Sequence, residues 1–152
     1  MMFGIQKPKI SEVKLSREYS CMYENFVVLT QTGTYLLLEM DGDNIYALHF
    51  DAPTCKYGGP NDETHNAHPM SKYGLGFYGL FEIENSPWIE ALMVANRIHP
   101  RHSDSTFTGY RHYIACFKDV KFESVCREMK EIVLSKPEFD ALLNQELFKL
   151  TN

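Results

Sequence analysis

Between residues 26 and 50 the apolar residues gather in short β-rich runs, the third of which alternates with a period of two. Three β-rich runs, 26–30, 34–40 and 45–50, are separated by Gln31-Thr32-Gly33 and by Asp41-Gly42-Asp43-Asn44. Separators this short, carrying Gly or Asp-Gly, are hairpin turns, so the spacing predicts a three-stranded antiparallel meander. In the third run Tyr46, Leu48 and Phe50 share one face and Ile45, Ala47 and His49 the other. The first set is the better core face. Alternation then stops. Residues 51–75 hold Pro53, Gly58-Gly59-Pro60, Asp62-Glu63, His65, His68-Pro69 and Gly74 with no apolar period. They read as a long structureless loop, of the kind that carries function or motion.

Strand text returns over 76–85, with Phe77, Gly79, Phe81 and Ile83 on one face and Tyr78, Leu80, Glu82 and Glu84 on the other. Ser86-Pro87 opens a helix over 86–98, because Ser suits the N-cap and Pro the first helical position. Trp88, Ile89, Leu92 and Met93 follow at helical spacing and Pro100 ends it. After a second polar loop, 99–109, a strand over 110–117 turns at Lys118-Asp119 and pairs back with 120–126. Residues 127–134 either extend that strand or begin a helix, and extension is the preferred reading. Ser135-Lys136-Pro137-Glu138 is a capping box. The stripe Phe139, Leu142, Leu143, Leu147 and Leu150 behind it needs a sheet face to cover.

The element order is β-β-β-loop-β-α-β-β-α. It predicts an α+β fold: one domain over 21–152, with an antiparallel sheet of about five to six strands and two principal helices. Residues 1–20 are polar and read as a loosely docked N-terminal arm.

Composition narrows the function classes. The chain has 152 residues, 44% hydrophobic, and its Lys+Arg total of 15 against Asp+Glu of 20 gives a net charge of -5. Phosphate recognition needs clustered cations, so a nucleic-acid partner is not expected. The longest aliphatic cluster, Tyr35-Leu36-Leu37-Leu38, is far short of the ~20 residues that span a bilayer, so no membrane partner is expected either. The start lacks the charged and apolar segments of a secretory signal. Cys21, Cys55, Cys116 and Cys126 form no C-x-x-C pair. The expectation is therefore a cytoplasmic protein with reduced thiols.

The chemistry-bearing residues crowd the two polar loops. His65 and His68 make one H-x-x-H pair, preceded by Asp62 and Glu63. His99 and His102 make another around Arg101, followed by Asp104, and His112 opens the next strand. If the loops meet, His65, His68, His99 and His102 could hold zinc or another divalent ion with an open position for water. The plainer reading is that His-Pro pairs fix bends and that His99 sits at a helix C-terminus, where a positive ring is favoured. No H-E-x-x-H, P-loop or G-x-S-x-G pattern is present. Tyr57, Tyr73, Phe77, Tyr78, Trp88, Phe107, Tyr110 and Tyr113 crowd the same region. Such residues build interfaces and pockets as well as cores.

The segments Tyr57-Gly58-Gly59-Pro60-Asn61-Asp62-Glu63, His68-Pro69, Asn85-Ser86-Pro87-Trp88-Ile89, His99-Pro100 and His112-Tyr113-Ile114 resemble, in that order, a set of uncharacterised small bacterial proteins. The resemblance spans roughly residues 25–126. It implies a bacterial, cytosolic setting and carries no activity or functional residue across.

Two functional readings stand on these residues. The first is a small binding or accessory module without catalysis, its surface formed by loops 51–75 and 99–109 and the start of the 86–98 helix. It takes a protein partner or a small polar ligand at Asp62, Glu63, His65, His68, His99, Arg101, His102 and His112. It predicts an exposed aromatic patch or a homodimer. The second is a divalent-metal-dependent hydrolase built on the four-histidine cluster, with Asp62 or Glu63 as ligand or base.

Overall fold

The computed structural model describes residues 6–151. The meander is present as β2 (Phe26–Leu29), β3 (Thr34–Asp41) and β4 (Asn44–Phe50). Gly42, at φ +59°, occupies the left-handed position that its tight turn requires. These strands belong to a four-stranded antiparallel sheet ordered β2-β3-β4-β9, closed by β9 (Met129–Ser135). A second, five-stranded antiparallel sheet is ordered β1-β6-β7-β8-β5. It comprises β1 (Lys9–Glu12), β5 (Cys55–Gly58), β6 (Gly79–Glu84), β7 (Arg111–Cys116) and β8 (Lys121–Cys126). The chain is thus a single α+β domain, and its strands divide between two sheets rather than filling one.

The sheets face each other across the main core. Leu36, Leu48 and Phe50 from the four-stranded sheet meet Leu80, Tyr113, Ala115, Phe122 and Cys126 from the other. The Phe50 ring lies 5.0 Å from Phe122 and 5.9 Å from Tyr113. Fully burying a side chain of that size contributes roughly 2–3 kcal/mol. As the alternation predicted, Leu48 and Phe50 face inward, while Tyr46 on the same face is half-buried under the Arg17 guanidinium. Helix α2 (Lys136–Phe148) starts at the expected capping box, Ser135 Oγ accepting from Glu138 N–H and Glu138 Oε1 from Ser135 N–H. The front of its apolar stripe lies on the outer face of the four-stranded sheet, where Phe139 meets Phe26 edge-on at 6.5 Å, while Leu147 and Leu150 stay exposed rather than covering the sheet as expected.

Three expectations are corrected. Residues 127–134 do form a strand, but it leaves β8 and pairs with β4 in the other sheet. The switch happens at Asp51. Its Oδ1 accepts the N–H groups of Arg127 and Glu128, both at 2.9 Å, where the 51–54 connection crosses between the sheets beside it. Second, residues 51–75 are not structureless. They hold β5 and two 3₁₀ turns, His65–Ala67 and Ser71–Tyr73, and they bury Met70 and Leu75 on the outer face of the five-stranded sheet. Third, the arm is docked from Lys9 onward. β1 pairs with β6, Val13 and Leu15 pack against the core, and Ser16 ties to Glu131 of β9 at 2.7 and 2.8 Å. Residues 1–5 of the expected arm lie outside the described residues. No described helix is long and apolar enough to cross a membrane.

Candidate functional site

Strand β7 alternates, so Tyr113 and Ala115 enter the main core while His112, Ile114 and Cys116 face outward. On the paired strand β8 the outward set is Lys121, Glu123 and Val125, with Ile114 opposite Glu123 in register. The 59–78 segment and the start of helix α1 (Pro87–Asn96) lie over this face, and the histidines of the first loop enter here. His68 Nε2 donates to Glu123 Oε2 at 2.8 Å and His112 Nε2 donates to Glu123 Oε1 at 2.8 Å. Ser86 Oγ, the N-cap of α1, meets His112 Nδ1 at 2.7 Å and accepts from Ile89 N–H at 3.2 Å. Met70 N–H donates to His68 Nδ1 at 3.0 Å, which leaves the His68 proton on Nε2, aimed at the carboxylate.

All four side chains are buried. Burial works to raise the Glu123 pKa, but the hydrogen bonds from His112 and His68 outweigh it and bring the carboxyl down to about 2. A buried carboxylate is stable only with its lone pairs filled, and here two ring N–H groups fill them. Above them the Trp88 ring meets His112 edge-on at 5.2 Å, and the Lys56 ammonium sits 4.1 Å from the Trp88 ring. Ser86, His112 and Glu123 are chained in the order hydroxyl, imidazole, carboxylate. Ser86, however, is buried and its hydroxyl is committed as a helix cap. The chain therefore acts as a clasp, fastening the 59–78 segment, α1 and the sheet to one another.

The remaining expected site residues are scattered. His65 is buried, its Nε2 at 2.7 Å from the Leu75 carbonyl and its ring stacked on Phe77 at 3.9 Å. Asp62 accepts the Tyr78 hydroxyl at 2.6 Å, and Glu63 is exposed. His99 and Arg101 are on the surface, with His99 Nδ1 accepting from Arg101 N–H at 3.0 Å. His102 bonds Asp104 and Asn96. Among the described residues no three His, Cys, Asp or Glu side chains gather where they could hold a metal ion. His65, His68, His99 and His102 therefore do not form the expected cluster: a Glu123 oxygen and a backbone carbonyl already occupy His68 and His65. The aromatic residues do not form one patch either: β7 sends Tyr113 into the core, while Phe77 and Tyr78 are exposed in the bend before β6, which starts at Gly79 rather than at 76.

Residues 51–54 and 104–110 nevertheless meet, at the other end of α1. Helix α1, the connection 51–54 and the 3₁₀ turn Asp104–Gly109 enclose a cleft of about 500 Å³. Leu92, Phe107, Tyr110 and Val125 give it apolar walls, and Asn96, Asp51 and Arg127 give it polar ones. The Arg127 guanidinium lies 4.9 Å from the Tyr110 ring. Arg17, Arg97 and Arg111 each pair with a carboxylate, whereas Arg127 and Asp51 have no ion-pair partner among the described residues. Arg127 thus lines the cleft with no carboxylate paired to it, while Asp51 Oδ1 is taken up by the N–H groups of Arg127 and Glu128. Arg127 and Asp51 carry no sequence motif. Glu123 could have been suspected as an acid on the buried alternation of an apolar strand.

The chain gives no match in comparisons with protein-family models, curated proteins or solved structures.

Proposed function

We propose that this chain is a small binding module whose ligand site is the cleft between α1, the 51–54 connection and the 104–110 segment. The observation that supports it most is the Arg127 guanidinium, without an ion-pair partner among the described residues, set beside the apolar surfaces of Leu92, Phe107 and Tyr110. A ligand site of this size joins an apolar lining to a few convergent polar groups. Stacking on Tyr110 holds the guanidinium in place, so little freedom is lost when it receives an anion. The clasp serves the same end: it fixes the N-terminal half of α1, so the half that lines the cleft starts from a rigid base.

The test is a titration of the ¹⁵N-labelled protein with a set of small aromatic and aliphatic carboxylates, followed by amide shifts. Binding members should perturb Asn96, Phe107, Tyr110 and Arg127, and Arg127→Gln should weaken them about tenfold, the loss of one charge-assisted contact. If no member perturbs these amides, the proposal fails.

A further inference from the structure

The cleft does not end at residues 51–54. A second, more apolar groove of about 920 Å³ runs between β2 and the C-terminal part of α2. Gln31, Thr32 and Pro53 stand in the walls of both, so the two adjoin there as the segments of a trough. Together they exceed the ~300–1,000 Å³ of ordinary small-molecule sites. Leu143, Leu147 and Leu150 line the apolar end, with Leu147 61% and Leu150 78% exposed.

One side of this trough is backbone. β2 is the last strand of its sheet. Thr30 N–H bonds Gly33 O at 2.9 Å, and Val28 lies opposite Tyr35 in register. By the alternation of an antiparallel pair, Thr30 and Val28 turn their peptide groups toward β3, and Val27 and Leu29 turn theirs to the open edge. An acyl chain filling the groove would desolvate those groups without bonding them, at a cost of about 1–3 kcal/mol each. A peptide strand would satisfy them.

We propose that the trough receives an extended peptide segment. Its backbone adds to the free edge of β2, its apolar side chains lie against Leu143 and Leu147, and its C-terminal carboxylate reaches the Arg127 guanidinium. This rests on the cleft being the ligand site and names its occupant. Charge fits as well as shape, since Arg127 at the far end of the trough has no ion-pair partner among the described residues and the Asp51 carboxylate beside it is already held by two backbone N–H groups.

The experiment selects from a library of random short peptides displayed with free C-termini. Selected sequences are then synthesised as free acid and as amide, and their binding is measured by fluorescence polarisation and amide shifts. The free acid should perturb Val27, Leu29 and Leu147 together with Phe107 and Arg127. Amidation should weaken it about tenfold. Arg127→Gln should weaken the acid by the same factor and erase the difference between acid and amide. Leu147→Glu, on an exposed residue, should weaken both forms several-fold with the melting temperature unchanged. Equal binding of acid and amide, or failure to select any peptide, overturns the proposal. Shifts confined to the cleft, with β2 and Leu147 silent, overturn the peptide while the cleft survives as a ligand site. Silence in the cleft as well defeats both.

Discussion

Glu123 holds together three segments far apart in sequence, and its removal tests whether the buried chain is a clasp. In Glu123→Leu the two ring N–H groups of His68 and His112 keep their burial and lose their acceptor. His68 cannot escape by changing tautomer, because Met70 N–H occupies its Nδ1. His112 can, by turning a proton toward Ser86. One unpaired donor and one rearranged hydrogen bond, with the lost charge-assisted contacts, cost about 3–5 kcal/mol. In a chain of this length that lowers the melting temperature by on the order of 10 °C. Glu123→Gln keeps the shape. Its carbonyl can accept from His68 and its amide can donate to the rearranged His112, so the loss is about 1–2 kcal/mol. The two are separated by urea denaturation across pH. Glu123 has a folded pKa of about 2 against an ordinary 4.5. Its ionisation therefore contributes stability above about pH 4.5, and that contribution of about 3 kcal/mol is lost as pH falls toward 2. His68 and His112, the titratable groups touching it, remain in the Gln variant. Because that loss exceeds the neutral-pH gap of about 1–2 kcal/mol, the lead of wild type over Glu123→Gln should shrink on acidification below pH 4.5, close, and then reverse. A constant gap, or a Glu123→Leu protein as stable as wild type at pH 7, would refute the clasp.

Ser86→Ala removes both the α1 cap and the His112 partner, so it should cost about 2–3 kcal/mol in urea unfolding, against about 1 for an ordinary cap. Ser135→Ala supplies that comparison: its capping box is exposed and should be worth about 1 kcal/mol. Cys116 and Cys126 are buried, with burial pushing both thiols up to about 12. They should resist a thiol reagent at pH 8 in the native protein and react once it is unfolded, so prompt native labelling of either would contradict the packing. At Gly76 a Cβ would stand 2.7 Å from the Phe81 ring, which makes Gly76→Ala destabilising by about 1–3 kcal/mol in a thermal melt despite the small change.

Much of the local structure was legible in the chain. The meander, its Asp-Gly turn, the core face of β4, the Ser86-Pro87 start and the Ser135–Glu138 box all depend on residues within a few positions of one another. Period and capping chemistry report such features directly. β1 and β5 were missed because strands of four residues at a sheet edge bury too little to show a period. The division into two sheets was missed because β9 has the same strand text whichever partner it takes; Asp51, more than seventy residues upstream, turns it toward β4.

Chemistry followed the same division. The sequence by itself determined which residue types were available and where local geometry would hold them, including a surplus of histidine and aromatic side chains over 57–113. The tertiary structure decided their use. It placed Glu123 between His68 and His112, which turned two expected ligands into hydrogen-bond donors of a buried clasp. It also left the Arg127 guanidinium in an open cleft without an ion-pair partner among the described residues. The physical reason is that a hydrogen bond or an ion pair depends on distance in space, and in a sandwich of two sheets that distance is set by strand order and register, which no local pattern encodes.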